Sequence, residues 1–128
     1  MERLLWVCFG GALGSGARYL TSLVAARWFG AGFGWGTVFV NVTGSFLLGL
    51  IVAVAKARGL MGSTLYFALA SGVMGGFTTY SSFNNETVTY VENGLLGRAA
   101  WNIGATVVLC LGAGFFGLRA GNWVGATR

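Results

Sequence analysis

Hydroxyls, amides and aromatic ring edges are the chemistry this chain concentrates. It has no His, and its three acidic residues are Glu2, Glu86 and Glu92. Metal-ligand clusters, carboxylate dyads, Cys-His pairs and Ser-His-Asp triads are excluded by that inventory, so catalysis is not expected. Cys8 and Cys110 lie in separate apolar segments and read as packing residues, since a buried free thiol behaves as a small hydrophobe. What remains is Gly75 to Glu86, G-G-F-T-T-Y-S-S-F-N-N-E, inside an apolar segment long enough to cross a bilayer. Backbone in hydrocarbon must satisfy its own hydrogen bonds, and irregular stretches survive only where protein or a water-filled cavity covers them. A hydroxyl- and aromatic-lined break in a membrane helix is therefore a candidate path or site for something polar.

Other polar residues fall into register with that stretch. Thr37, Asn41 and Ser45 recur every four residues, followed by Gly49, and Asn102, Thr106 and Cys110 repeat the interval. On an α-helix each set makes one narrow stripe. Two readings stand side by side: interhelical glue of the kind Ser, Thr and Asn commonly provide in membranes, or the lining of a polar path. Arg18 lies about fourteen residues into the first apolar segment, where an arginine is costly and usually functional. It either caps backbone carbonyls or sets up a positive potential that favours anions. Gly10, Gly11, Gly14 and Gly16 before it read as close helix contacts. Tyr80 and Phe83, three apart, share a face just after the break. They are either lipid-facing or core aromatics, or rings whose positive edges meet an anion. Glu86, about one turn on, is read on the same general face, as a functional acid or a solvated span end.

The elements that must hold these residues are membrane helices. Of 128 residues 55% are hydrophobic and 9% charged, against roughly 25% charged in soluble domains. Gly accounts for 23 residues and Pro for none, which fits helices whose backbones approach closely. Four apolar segments, about 4–29, 37–57, 64–91 and 99–118, can each cross about 30 Å of hydrocarbon. The first is too glycine-rich and continuous for a cleaved signal peptide. Residues 1–128 read as one four-helix transmembrane domain with no internal repeat and no soluble module. Four spans place Arg3, Lys56, Arg58, Arg119 and Arg128 on one side and Arg27 and Arg98 on the other, which leans towards cytoplasmic termini. The net charge of +5, spread along the chain, gives no argument for nucleic acid. With so few polar residues per helix one chain is too small to enclose a pore, so oligomerisation is expected.

At this point the residues resemble a known family. G-G-x-x-G-x-x-x-R-Y in the first span, G-T-x-x-V-N-x-x-G-S in the second and G-G-x-T-T-Y-S-S-F-x-x-E in the third are similar to the small bacterial fluoride exporters, the CrcB/Fluc channels. The resemblance implies an all-α membrane protein: four transmembrane helices, the third broken in mid-membrane, paired as an antiparallel dual-topology homodimer in the bacterial inner membrane. It implies passive fluoride export that relieves toxicity, since fluoride enters acidified cells as HF, dissociates and must leak out as the anion. The family's pore asparagine falls on Asn41, its two edge-coordinating aromatics on Tyr80 and Phe83, and its hydroxyl track on Ser81 and Ser82, with Thr106 opposite. Thr79 joins this pore set, and Glu86 matches the acidic end of the motif. A structural sodium ion at the dimer centre is implied, held by the backbone carbonyls of Gly75 and Thr78. Some members pair two different subunits, so a heterodimer stays open. This chain departs from the commoner pattern at Tyr80 (usually Phe), at Asn84 (usually Ser), and at Asn102 and Cys110 on the fourth helix.

The bottom-up reading agrees with that assignment. Fluoride is small and strongly hydrated, so its pore must replace water with donors and positive ring edges rather than with a broad cationic pocket. Two rival readings are a small four-helix multidrug or cation transporter, which needs a mid-membrane acid where the first span has Arg18, and a non-conducting assembly subunit whose polar residues only join helices.

Overall fold

The computed structural model describes residues 1–30 and 32–126, so Arg128, counted above in the charge bias, lies outside the described residues. Those residues form helices and turns, with no strand among them. The order is α1 (Glu2–Phe29), α2 (Trp35–Ala57), α3 (Thr64–Phe67), a π-helical segment (Ala68–Met74), α4 (Gly75–Phe77), α5 (Tyr80–Glu92) and α6 (Leu96–Ala126). Grouped by the connecting turns these are four helical units, the third running from Thr64 to Glu92. Two helices, α2 and α6, are long and apolar enough to cross a membrane. In α1, Arg18 and four closely spaced glycines dilute the hydropathy of a helix of similar length.

Without proline, glycine ends the helices. Gly59 and Gly94 carry φ of 65° and 71°, the left-handed region that only Gly enters without strain. Around them Leu60 N donates to Ala55 O and Leu95 N to Tyr90 O, closing orphan carbonyls as a Schellman turn does.

Glycine also sets the packing. A Cβ at Gly49 would stand 2.5 Å from Gly114 O, and one at Gly117 would overlap Phe46 O. At Gly121 it would meet Leu50 O at 2.7 Å, and at Gly125 the Ala57 Cβ at 2.6 Å. This seam explains why α6 continues to Ala126, beyond the apolar segment that ends at about residue 118. Residues beyond Arg119 still have α2 to pack on. A second seam joins α1 to the π-helical segment and α4: a Cβ at Gly10 would lie 2.5 Å from Ala68 O, and Gly14 is pressed against Val73 O and Phe77 N.

Between α4 and α5 the chain leaves the helical region for two residues. Thr78 (φ −78°, ψ 157°) and Thr79 (φ −151°, ψ 113°) are extended, and the helix restarts at Tyr80. These two residues, set against α2 and α6, position the site.

Candidate functional site

Asn41 of α2 faces the extended Thr79 and holds it by both amide ends. Asn41 Nδ2 donates to Thr79 O at 3.0 Å, and Thr79 N donates to Asn41 Oδ1 at 2.7 Å. Both residues are buried. The stripe continues below, where Ser45 Oγ donates to Asn41 O at 2.7 Å. Thr79 then caps α5: its Oγ1 accepts from Ser82 N at 3.2 Å and donates to Ser82 Oγ at 3.1 Å, with Ser81 Oγ 3.2 Å away. A threonine at this position satisfies one of the orphan amides of a helix start.

These bonds have a consequence for the carbonyls. Thr79 N, the i+4 donor for Gly75 O, is directed to Asn41, and Ser82 N, the i+4 donor for Thr78 O, is directed to Thr79 Oγ1. Thr78 Oγ1 itself donates to Met74 O at 3.0 Å. Gly75 is exposed and Thr78 half-buried, and a Cβ at Gly75 would touch nothing within 4 Å.

Three cavities lie around the break and the start of α5. The first, about 430 Å³, is bounded by Asn41, Ser45, Thr78, Thr79, Tyr80, Phe83, Thr106 and Cys110, together with apolar residues of α2 and α6. Thr106 is buried, and its Oγ1 has no hydrogen-bond partner among the described residues. The Tyr80 and Phe83 rings lie 5.7 Å apart at 53°, so the shared face expected for them is observed. Phe83 is half-buried, whereas the Tyr80 ring is 77% exposed.

Glu86 does not share that face. It lines a second cavity of about 490 Å³ with Thr37, Gly34, Asn85 and Tyr90. Six residues after Tyr80 and three after Phe83, it is carried around α5 towards α2, where Thr37 Oγ1 donates to its Oε1 at 2.5 Å. Its Oε2 is buried without a partner among the described residues. Arg18, half-buried, lines a third cavity of about 340 Å³ with Ser15, Tyr19, Ser22, Thr37, Thr79 and Ser82. Thr79 borders the first and third cavities, and Ser82 the second and third. The two hydroxyls are thus a common wall. Ser81 is exposed beside them.

The second stripe divides in use. Asn102, fully buried, donates through Nδ2 to Thr87 Oγ1 at 3.0 Å and so joins α6 to α5. Thr106 and Cys110 face the first cavity. Sequence reasoning missed Thr87, which also donates to Phe83 O at 2.8 Å, and Tyr90, whose hydroxyl accepts from Gly34 N at 2.9 Å. Neither belongs to a stripe, so no spacing marked them.

Residues 5–118 match the family model described as CrcB-like protein, Camphor Resistance (CrcB). The chain is 55% identical over 124 residues to a protein of Anaeromyxobacter sp. (strain K), covering 97% of this chain and 98% of that one. A Sorangium cellulosum protein is 50% identical over 118 residues (92% and 93% covered), and a Thermus thermophilus protein 44% over 121 residues (94% and 96%). All three are called fluoride-specific ion channel FluC. A match along nearly the whole chain, on apolar helices of spanning length, makes this a membrane protein of the CrcB-like family.

Proposed function

We propose that this protein is a fluoride-selective channel that lets cytoplasmic fluoride leave passively down its electrochemical gradient. The observation that carries the reading is the groove at the break, where Asn41 holds Thr79 extended beneath the Tyr80 and Phe83 rings. Its donors are neutral: hydroxyls, an Asn41 amide with one Nδ2 hydrogen left over, and the first amides of α5, whose positive dipole end favours an anion. Aromatic ring edges add partial positive charge. Such a lining replaces the water of a small, strongly hydrated anion. The FluC names of the three relatives point the same way.

In this reading Asn41, Thr79, Tyr80, Phe83 and Thr106 line the path. Ser81 and Ser82 continue its hydroxyls, and Glu86 with Thr37 forms an entrance. Arg18 raises the positive potential of the adjoining cavity. The chain crosses the bacterial inner membrane four times, with the break of the third span at mid-depth, as one domain over residues 1–128. It works as an antiparallel, dual-topology homodimer, or paired with a related subunit. A second copy gives the exposed Tyr80 ring and Gly75 backbone a protein neighbour. On the two-fold axis the Gly75 and Thr78 carbonyls of both copies, relieved of their helical donors, surround a structural sodium ion, a hard cation that takes oxygen ligands.

The test is ion efflux from liposomes loaded with fluoride or with chloride. Fluoride is expected to empty rapidly while chloride is retained, and Phe83→Ile, which keeps apolar bulk and removes the ring edge, to assemble with little or no fluoride flux. Chloride leaving as fast as fluoride would sink the reading. Parental flux through an assembled Phe83→Ile protein would return Phe83 to core packing.

A further inference from the structure

The corner where α2 turns into α3 holds a further cavity of about 270 Å³, unrelated to those near the break. Its walls are Leu50, Ile51 and Val54 of α2 facing Leu65 and Leu69, and Arg58 stands at its mouth. The corner is pre-formed: Leu60 N and Ser63 N are bonded to Ala55 O and Leu60 O, and Ser63 Oγ caps Tyr66 N at 3.1 Å. Arg3 reaches it from α1, with Nη2 donating to Gly62 O at 3.0 Å and the guanidinium 4.8 Å from the Phe67 ring centre.

Of the other basic side chains, Arg98 and Arg119 have protein neighbours and Arg27 is exposed. Arg98 donates to Gly32 O, and Arg119 lies over Phe115. Arg58 is exposed, and its side chain has no carboxylate or carbonyl partner among the described residues. One exposed cation, Arg58, therefore stands at an apolar slot at a helix end, with Arg3 at the same corner. We propose that this corner binds an anionic phospholipid, one acyl chain in the slot and the phosphate on Arg58. Charge complementarity selects the lipid: a zwitterionic headgroup would bring its own cation against Arg58, while an anionic one brings none.

This goes beyond fluoride conduction and stands or falls without it. The full-length protein, stripped of lipid in detergent, is titrated with phosphatidylglycerol or phosphatidylcholine of matched chains, and bound lipid is read by native mass spectrometry. Phosphatidylglycerol is expected to bind at least about fivefold more tightly, the value of one basic side chain at an anionic lipid surface. Arg58→Gln should lower its affinity about fivefold and leave phosphatidylcholine unchanged, while Arg27→Gln, at the other end of α1, changes neither. Leu65→Trp fills the slot without altering charge and should weaken both lipids. Equal affinity for the two lipids, or an Arg58→Gln protein that still prefers phosphatidylglycerol, overturns the proposal. So does a Leu65→Trp protein that keeps its lipid but splits into single copies, since a second chain would then be the occupant.

Discussion

Where α2 meets α6, backbones touch through glycine and nothing polar is needed; where α5 meets its neighbours, hydrogen bonds stand in for close packing. Gly49, Gly117, Gly121 and Gly125 each place backbone or Cβ atoms of the other helix where a side chain would begin. Helix α5 is joined instead by Thr79 to Asn41, Glu86 to Thr37, Tyr90 to Gly34 and Thr87 to Asn102. In lipid, apolar surface gives helices little reason to associate, so close backbone contact and interhelical hydrogen bonds are the available forces. The molecule uses each in a separate place. A glycine seam makes a rigid, dry frame, and a polar seam leaves hydroxyls and amides at hand around three cavities.

The frame should fail first and most completely. Gly117→Val puts a branched side chain onto Phe46 O and Cα, atoms of a helix backbone that cannot step aside. Overpacking of a core costs roughly 1–3 kcal/mol and more where only backbone can yield. Gly117→Val is therefore expected to lose most folded, detergent-extractable protein, measured by size-exclusion chromatography. A monodisperse variant with parental thermal stability would mean that the seam is looser than glycine makes it.

The polar seam should fail in activity before it fails in structure. Asn41→Ala removes both bonds to Thr79, and leaving buried backbone groups unpaired costs about 1–3 kcal/mol each. Thr79 then has no reason to stay extended, and its N–H can return to Gly75 O as an ordinary helical bond. The expected result is an assembled protein, lower in melting temperature, with fluoride flux down at least tenfold in liposome efflux. Parental flux would show that Asn41 is glue and no more.

The two seams were legible to different degrees. Apolar runs predicted the four helical units, and the glycine counts predicted close contact, because both signals are local. The apolar segment 99–118 does not mark where α6 ends, because the partner that prolongs the helix, Leu50 to Ala57, lies in another segment. The π-helical turns of Ala68–Met74 left no mark in the apolar period. Stripes at intervals of four placed Asn41, Thr106 and Asn102 on inner faces, as found. They could not pair Asn41 with Thr79 across 38 residues or Thr37 with Glu86 across 49. Glu86 reads on the aromatic face because three and six residues look adjacent on a helix; the rotation of α5 sends it to Thr37 and the second cavity instead.

The smallest expected effect separates one chain from two. Gly75 and Gly104 are both exposed, and at neither would a Cβ meet any atom of this chain within 4 Å. Judged by the chain alone, alanine at either site should be harmless, and helix propensity favours it by up to about 1 kcal/mol. The sodium reading breaks that symmetry, because a methyl group at Gly75 would crowd the point where two copies are proposed to bring their carbonyls together. Thermal unfolding in detergent, in sodium and in a bulky organic cation, reads the difference. Gly104→Ala should match or slightly exceed the parent in both. Gly75→Ala should lose the sodium-dependent part of the parent's stability and gain nothing from the ion. If both variants respond to sodium as the parent does, the carbonyls of Gly75 and Thr78 find their partners elsewhere, and the polar seam ends within a single chain.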